Sequence, residues 1–303
     1  MITSILYPTK NNVVAVITSH NFNTSFIDRL SHILNQVDKI VIIDNNSDNS
    51  TLVLLKEIEV SSKIFIIYNA INLGVATALN QGVRWAINNL YKWVLLLDQD
   101  TFISDSLIEI LCSSYQEMKN REQIGIIGPG YSDIKSRKYF IQFMLPVTYF
   151  FTEVKSVITS GSLIPIEVYE KIGPFRDDLF IDFVDIEYCL RARTMGYKVM
   201  KVHSLLMQHS IGSITMHRLP WKITGTTNHS PFRRYYMMRN NIILAKEYLL
   251  FDPGWVLSSL VSRVKSTLLM LLFEKQRILK FKYSVLGIHD GILGNVNRTI
   301  NQG

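Results

Sequence analysis

The stretch WVLLLDQD, residues 93–100, is five apolar residues followed by two carboxylates around a glutamine. A short, continuous apolar run of this kind reads as a strand buried on both faces, the usual state of a strand in a parallel sheet. Four other runs have the same form: VVAVIT (13–18), KIVIID (39–44), KIFIIY (63–68) and IGIIG (124–128). Helix-like stretches lie between them: from Thr24, an N-cap candidate, to Asn35, after Ser50 and Thr51, and from Val75 to Leu90. Strand–helix alternation with right-handed crossovers predicts an α/β fold, a Rossmann-like, mainly parallel sheet with helices on both faces.

Ligands on such sheets bind at the C-terminal ends of the strands. There the sequence turns polar: Thr18-Ser19-His20-Asn21, Asp44-Asn45-Asn46-Ser47-Asp48, Asn69 through Asn72-Leu73-Gly74, and Asp98-Gln99-Asp100. Turn chemistry alone accounts for any one of these clusters. Four at one edge point to a binding site. Asp98 and Asp100 have no basic residue near them in sequence, so they call for a cation, and hard oxygen ligands suit Mg²⁺ or Mn²⁺ better than zinc. The chain has no GxGxxG after its first strand and no GxxxxGK[ST], which disfavours a dinucleotide oxidoreductase and a P-loop NTPase. Residues 18–24 hold no glycine, so the glycine-rich loop of a sugar-1-phosphate nucleotidyltransferase is also missing.

The chain has 303 residues, 48% of them hydrophobic and 19% charged, enough for a full core and too apolar for a disordered chain. Cys112 and Cys189 are too few for a disulfide framework and, with no secretory signal at the start, fit a reducing cytosol. The net charge of +7 is localised. Residues 1–230 carry 21 Lys+Arg against 21 Asp+Glu, and residues 231–303 carry 11 against 4. A neutral body with a basic tail points to an anionic surface as partner. No nucleic-acid motif or basic–aromatic repeat accompanies the charge, which disfavours nucleic acid.

A second constellation occupies the middle of the chain. Val157-Ile-Thr-Ser160-Gly161-Ser162 leads into a helical LIPIEVYEKIG that ends at Gly173-Pro174. Then FRDDLFIDFVDIEYCLRARTMGYKV brings Asp177, Asp178, Asp182, Asp185 and Glu187. The pattern becomes helical from about Asp185, with Asp182 and Asp185 at the helix N-terminus, where capping alone would also favour them. Glu187 stands four before Arg191, the spacing of a surface ion pair. KVMKV (198–202) returns as a strand, His203 reads as an ordinary satisfied histidine, and His209 stands where a further metal ligand would be useful.

Together these residues resemble an inverting glycosyltransferase of family 2, with the GT-A fold, over about residues 12–245. The resemblance rests on Asp44-Asn-Asn-Ser47, Asn72-Leu-Gly74, Asp98-Gln-Asp100, Ser160-Gly161, Phe183-Val-Asp185-Ile-Glu187-Tyr188 with Arg191, and His209, in that order and spacing. Within the family, FIDFVDIEYCLRARTMGY, the HS-x-G segment and RRYYMMRNNI (233–242) look most like bacterial rhamnosyltransferases of O-antigen-type polysaccharide assembly. The resemblance implies that Asp44 and Asn46 hold the base and ribose of a nucleotide-sugar, with Thr18, His20, Asn72 and Gly74 in the same pocket. It further implies that Asp98 contacts the nucleotide side, that Asp100 and His209 bind the metal on the diphosphate, and that Asp185 is the catalytic base. Val184 replaces the Glu of the family's Glu-Asp pair, so no acceptor contact from that acid carries over.

The implied chemistry is coherent. Displacing a nucleoside diphosphate from an anomeric carbon needs a cation for the leaving phosphate and a carboxylate on the opposite face to take the acceptor's proton. The donor implied is dTDP-L-rhamnose and the acceptor a glycan, lipid-linked in a surface-polysaccharide pathway, at the inner face of the cytoplasmic membrane. Another UDP- or dTDP-hexose donor, or a catalytically inactive scaffold subunit, are the alternatives. The expected organisation is a GT-A domain over 1–245, with a nucleotide-sugar half to about 130 and an acceptor half after it, then a helical tail over 246–303. Serines with Arg263 and Lys265 interrupt the run from Trp255 to Phe273, which argues against a membrane span and for a basic amphipathic helix on anionic lipid. Packing of that helix on the catalytic domain, or on a second copy in a homo-oligomer, stays open beside it.

Overall fold

The computed structural model describes residues 6–133, 151–209, 215–219, 222–296 and 300. The first part of the chain runs β1 (Val13–Ser19), α1 (Ser25–Leu34), β2 (Lys39–Asp44), α2 (Asn49–Ile58), β3 (Ile64–Tyr68), α3 (Val75–Asn88), β4 (Trp93–Asp98), β5 (Phe102–Ile103) and α4 (Leu107–Glu117). It continues through β6 (Ile124–Asp133), β7 (Phe151–Glu153), β8 (Ser162–Pro165), α5 (Ile166–Ile172), α6 (Val184–Thr194) and β9 (Lys198–His209). A hairpin of β10 (Thr215–Leu219) and β11 (Lys222–Thr226) and the helices α7 (Pro231–Tyr248), α8 (Pro253–Phe273) and α9 (Arg277–Leu293) follow. The chain divides into two compact units, Met1–Asp177 with Tyr188–Ser210, and Asp178–Glu187 with Ile211–Gly303.

The first unit is built on one sheet in the order β3-β2-β1-β4-β8-β6-β9-β5, with β7 also paired to β9. The pairs β3–β2, β2–β1, β1–β4 and β6–β9 are parallel. The five apolar runs are therefore strands of a mainly parallel sheet, as their continuous hydrophobicity predicts. Every residue of β1 is buried, and so are Ile40 to Ile43 and Trp93 to Leu97 on the neighbouring strands. Helix α3 packs closely over this layer, because a Cβ at Gly82 would stand 2.2 Å from Val16 Cγ1.

Three local readings are corrected. Helix α2 begins at Asn49, earlier than the sequence pattern places it, because the Asp48 carboxylate caps it by accepting from the Thr51 N–H at 2.9 Å. Thr24 makes no side-chain cap on α1; Asn23 Oδ1 accepts from the Ser25 N–H at 3.2 Å instead. The segment read as one helix from Leu163 divides at Pro165. Its first residues form β8, antiparallel to β4 with Leu96 opposite Ser162 and Trp93 opposite Pro165, and the helix starts only at Ile166. A strand this short carries too few residues for the period to reveal itself.

In the second unit α7 is the central helix, buried along most of its length. Helix α9 lies against it at glycine-mediated distance: a Cβ at Gly287 would come within 2.3 Å of the Tyr235 carbonyl oxygen, and one at Gly291 within 2.8 Å of that of Arg239. Charges are internal here. Glu274, fully buried, bridges Arg234 at 3.0 Å and Lys280 at 2.7 Å. Burial pushes its carboxyl upward, but the Lys280 hydrogen bond and the Arg234 charge outweigh that and hold it below the usual range.

Candidate active site

The polar strand ends predicted from the sequence come together in the first unit. Thr18 is in register with Asp98, and Ser19 with Asp44, across β4–β1–β2. The turn after β1 is tied to the turn after β4, because the His20 N–H donates to Gln99 Oε1 at 2.6 Å and Gln99 Nε2 donates to the His20 carbonyl at 3.0 Å. It is tied to the turn after β2 as well: the Asn21 N–H donates to Ser47 Oγ at 2.9 Å, and the Asp48 N–H to Asn21 Oδ1 at 2.8 Å. Asp44 is buried, and its carboxylate accepts from both the N–H and the hydroxyl of Ser47. Asn46 is exposed, with φ +64°.

Asn45 was not singled out by the sequence, yet it joins this edge together. Its Oδ1 accepts from the Leu73 N–H at 2.9 Å and from Asn69 Nδ2 at 3.2 Å, and its Nδ2 donates to the Gly74 carbonyl at 3.0 Å. Asn72 Oδ1 in turn accepts from the Gly74 N–H at 3.0 Å, directly before α3. Gly74 has φ +84°, a left-handed conformation that strains any residue with a side chain, so the Asn72-Leu-Gly74 signal has a backbone cause. Thr18, His20, Asp44, Asn72, Gly74 and Asp98 thus share one hydrogen-bonded rim, the natural place for a nucleotide on such a sheet.

Asp98 and Asp100 stand half-buried in the turn that ends β4. Ser160 holds that turn, accepting from the Asp98 N–H at 3.0 Å and bonding the Thr101 hydroxyl. The antiparallel pairing of Phe102 with Gln208 sets the backbone of His209 beside the segment that follows Asp100. The His209 side chain, and the rest of the HS-x-G segment, lie outside the described residues. Among the described residues no three His, Cys, Asp or Glu side chains gather as a metal-binding group. Two carboxylates on one turn fit the oxygen chemistry of a hard divalent cation.

Asp185 belongs to the second unit, in the first turn of α6, where its Oδ1 accepts from the Ile186 N–H at 2.8 Å. The loop before it holds Phe180, Asp182 and Phe183 at φ +62°, +63° and +67°. Three non-glycine residues in the left-handed region cost energy that surrounding contacts must offset. Helix α7 supplies them. Asn240 Nδ2 lies 2.9 Å from the carbonyl oxygens of Leu179, Ile181 and Asp182, and Arg239 donates to those of Asp178 and Leu179. Arg233 grips the Asp182 carboxylate at 2.9 to 3.2 Å, and Phe180 stacks on Tyr236. Asp182 is therefore a loop clamp, not a helix cap. The surface pair assigned to Glu187 is also overturned. Glu187 is buried and accepts from the Tyr248 hydroxyl at 3.1 Å, while Arg191 donates to the carbonyls of Ile172 and Pro174.

Comparison with known proteins agrees with this architecture. Residues 14–170 match the family described as Glycosyl transferase family 2. The chain is 31% identical over 301 residues to the dTDP-rhamnosyl transferase RfbF of Shigella flexneri, covering 94% of this chain and 96% of that one. Among solved structures it resembles Staphylococcus aureus TarS, residues 1–349, with a TM-score of 0.59 at 12% identity, covering 94% of this chain and 82% of that one. It also resembles GalNAc-T7, determined with UDP, GalNAc and Mn²⁺, with a TM-score of 0.54 at 16% identity, covering 69% of this chain but only 44% of that one. These likenesses give the chain a GT-A-type fold. With its sequence matched from the first strand into α5 and its acidic and amide side chains ranged along one sheet edge, the chain belongs to glycosyltransferase family 2 and is a glycosyltransferase.

Proposed function

We propose that this enzyme transfers L-rhamnose from dTDP-L-rhamnose, with inversion, to a lipid-linked glycan of a growing bacterial surface polysaccharide at the inner face of the cytoplasmic membrane. The observation that carries the donor is the likeness, over nearly the whole chain, to a relative named a dTDP-rhamnosyl transferase. The rim of the first unit supports a nucleotide-sugar: Asp44 and Asn46 for the base and ribose, Thr18, His20, Asn72 and Gly74 around them, and Asp98 on the nucleotide side. Asp100, with Asp98 and His209 nearby in the chain pairing, would hold Mg²⁺ or Mn²⁺. When bound, that cation neutralises charge on the leaving diphosphate. The chain's own tasks are to fix the nucleotide through the tied turns and to take a proton. Asp185 takes it from the acceptor hydroxyl as that oxygen attacks the anomeric carbon, and the carbon–phosphate oxygen bond breaks on the other side.

The test is a panel of dTDP-L-rhamnose, dTDP-glucose, UDP-glucose and UDP-galactose, measured by calorimetric binding and by acceptor-free hydrolysis, with and without EDTA. The expected result is tightest binding of dTDP-L-rhamnose, loss of turnover in EDTA and restoration by Mg²⁺ or Mn²⁺. Asp100→Ala should lose metal-dependent binding as well as turnover. Preference for a UDP-hexose would overturn the donor, and full activity in EDTA would overturn the metal.

A further inference from the structure

The two C-terminal helices are amphipathic in the reverse sense to a helix on a water-soluble body. The face of α8 turned into its unit carries Ser259, whose hydroxyl accepts from Asn241 at 3.0 Å, and Ser266, whose hydroxyl accepts from Arg234 at 2.8 Å. Arg263 lies on that side too, its guanidinium 5.8 Å from the Phe183 ring centre. The outward face is a stripe of Leu257, Val261, Val264, Leu268 and Leu272, each 57% to 66% exposed. Helix α9 repeats the arrangement. Lys280, Ser284, Gly287, Asp290 and Gly291 face inward, while Ile278, Phe281, Val285, Ile288 and Ile292 are exposed. Both stripes follow the three-and-four spacing of a single helix face.

Two such stripes of large exposed apolar side chains on successive helices mark an interaction site. Charge decides what covers it. The acids of α9 and of the turn before it, Asp290 and Glu274, are buried, and the exposed ionisable side chains along this face are Lys265, Lys275, Arg277, Lys282 and His289. A second copy docked face to face would set these cations against one another. An anionic lipid leaflet would neutralise them at the headgroups while taking up the leucines and valines. Helix α8 is by length and composition apolar enough to cross a membrane. Its inner face, however, is bonded to α7 through Ser259 and Ser266, which fits a helix lying in the plane of the interface.

We propose that the outward stripes of α8 and α9 together form a monotopic docking surface for an anionic lipid leaflet, with the apolar side chains inserted and Lys265, Lys275, Arg277 and Lys282 at the headgroup level. This rests on the membrane attachment proposed above, names the surface that makes it, and is independent of the sugar chemistry.

The experiment is flotation of the full chain with vesicles of phosphatidylcholine, with and without phosphatidylglycerol, alongside hydrolysis of dTDP-L-rhamnose. Wild-type protein should float with both and more strongly with phosphatidylglycerol. Val264→Asp with Leu268→Asp, at exposed positions that leave the fold intact by circular dichroism, should lower partitioning by at least about tenfold, the worth of the lost apolar insertion. Val264→Trp should hold or raise it, since tryptophan favours the interface. Hydrolysis should be unchanged in both variants. Flotation lost with hydrolysis kept supports the surface. A wild-type protein that hydrolyses the donor but does not float overturns the docking and leaves the enzyme reading standing. Flotation without hydrolysis supports the docking while counting against the donor. A lipid-free dimer that the aspartate substitutions dissociate overturns the lipid leaflet in favour of a second copy.

Discussion

Asp185 and His229 carry the sharpest expectations at the scale of single residues. Asp185→Asn keeps an Oδ1 that can accept from the Ile186 N–H, so the start of α6 survives the change. An amide cannot serve as the base proposed at this position, so transfer should fall by roughly 10²–10⁴-fold with donor affinity nearly constant. Kinetics of transfer beside calorimetry of donor binding check this, and near-normal transfer would remove Asp185 as the base. Glu170→Gln, at an exposed position on α5, serves as the control. His229 is held down to about 4, first by desolvation and then by the Arg233 and Arg234 charges, with Asp182 and Glu274 opposing. A histidine depressed in the fold contributes stability that is complete above its unfolded value near 6.5 and is lost as pH falls toward 4. The loss should reach about 3 kcal/mol from this group. Urea unfolding at pH 7 and pH 5 should therefore show a smaller drop for His229→Asn than for wild type.

Elements explain why particular small or polar residues stand where they do. Helix α7 is a scaffold whose Arg233, Arg239 and Asn240 tie down the strained loop leading to α6, so RRYYMMRNNI is a structural motif with a consequence for Asp185. Helix α9 reaches α7 only because Gly287 has no side chain. Gly287→Ala would push a methyl to 2.3 Å from the Tyr235 carbonyl oxygen and should cost about 1–3 kcal/mol, an overpacking penalty, in spite of alanine's better helix propensity. A rise in thermal midpoint on this substitution would refute the close contact. Much of this level was legible in advance. The five strands, the helix from Val75 and the return strand at 198 follow from periodicity alone, because continuous apolar runs and 3.6-residue periods need no tertiary information. Strand β8 was not legible, since four residues ending in a proline carry no period.

Over the whole molecule, the tail is a structural part of its unit. Removing residues from Pro253 onward takes away Glu274, the partner of the fully buried Arg234, and Asp290, which accepts from the Tyr235 hydroxyl at 2.8 Å. An uncompensated buried charge costs about 3–5 kcal/mol. Such a truncation should give an insoluble or non-cooperatively melting product, checked by circular dichroism; a soluble fragment with an unchanged melt would show that the first unit and α7 stand without α8 and α9. A test of membrane docking must therefore use surface substitutions rather than deletion.

The sequence by itself determined the sheet and its polar C-terminal edge, where Asp44 and Asp98 stand, because hydrophobic period and turn chemistry are local properties. It also showed that the positive charge gathers in the last part of the chain. Only the tertiary structure decided which groups serve one another. Asn45 looks like any turn asparagine until the loop after β3 closes on its amide, and Glu187 looks like half of a surface pair until Tyr248 arrives from a distant helix. The same holds for the tail. Periodicity reveals that α8 and α9 each have two faces, but which face turns inward depends on buried partners supplied by α7, and those partners drew in the polar face and left the apolar one outside.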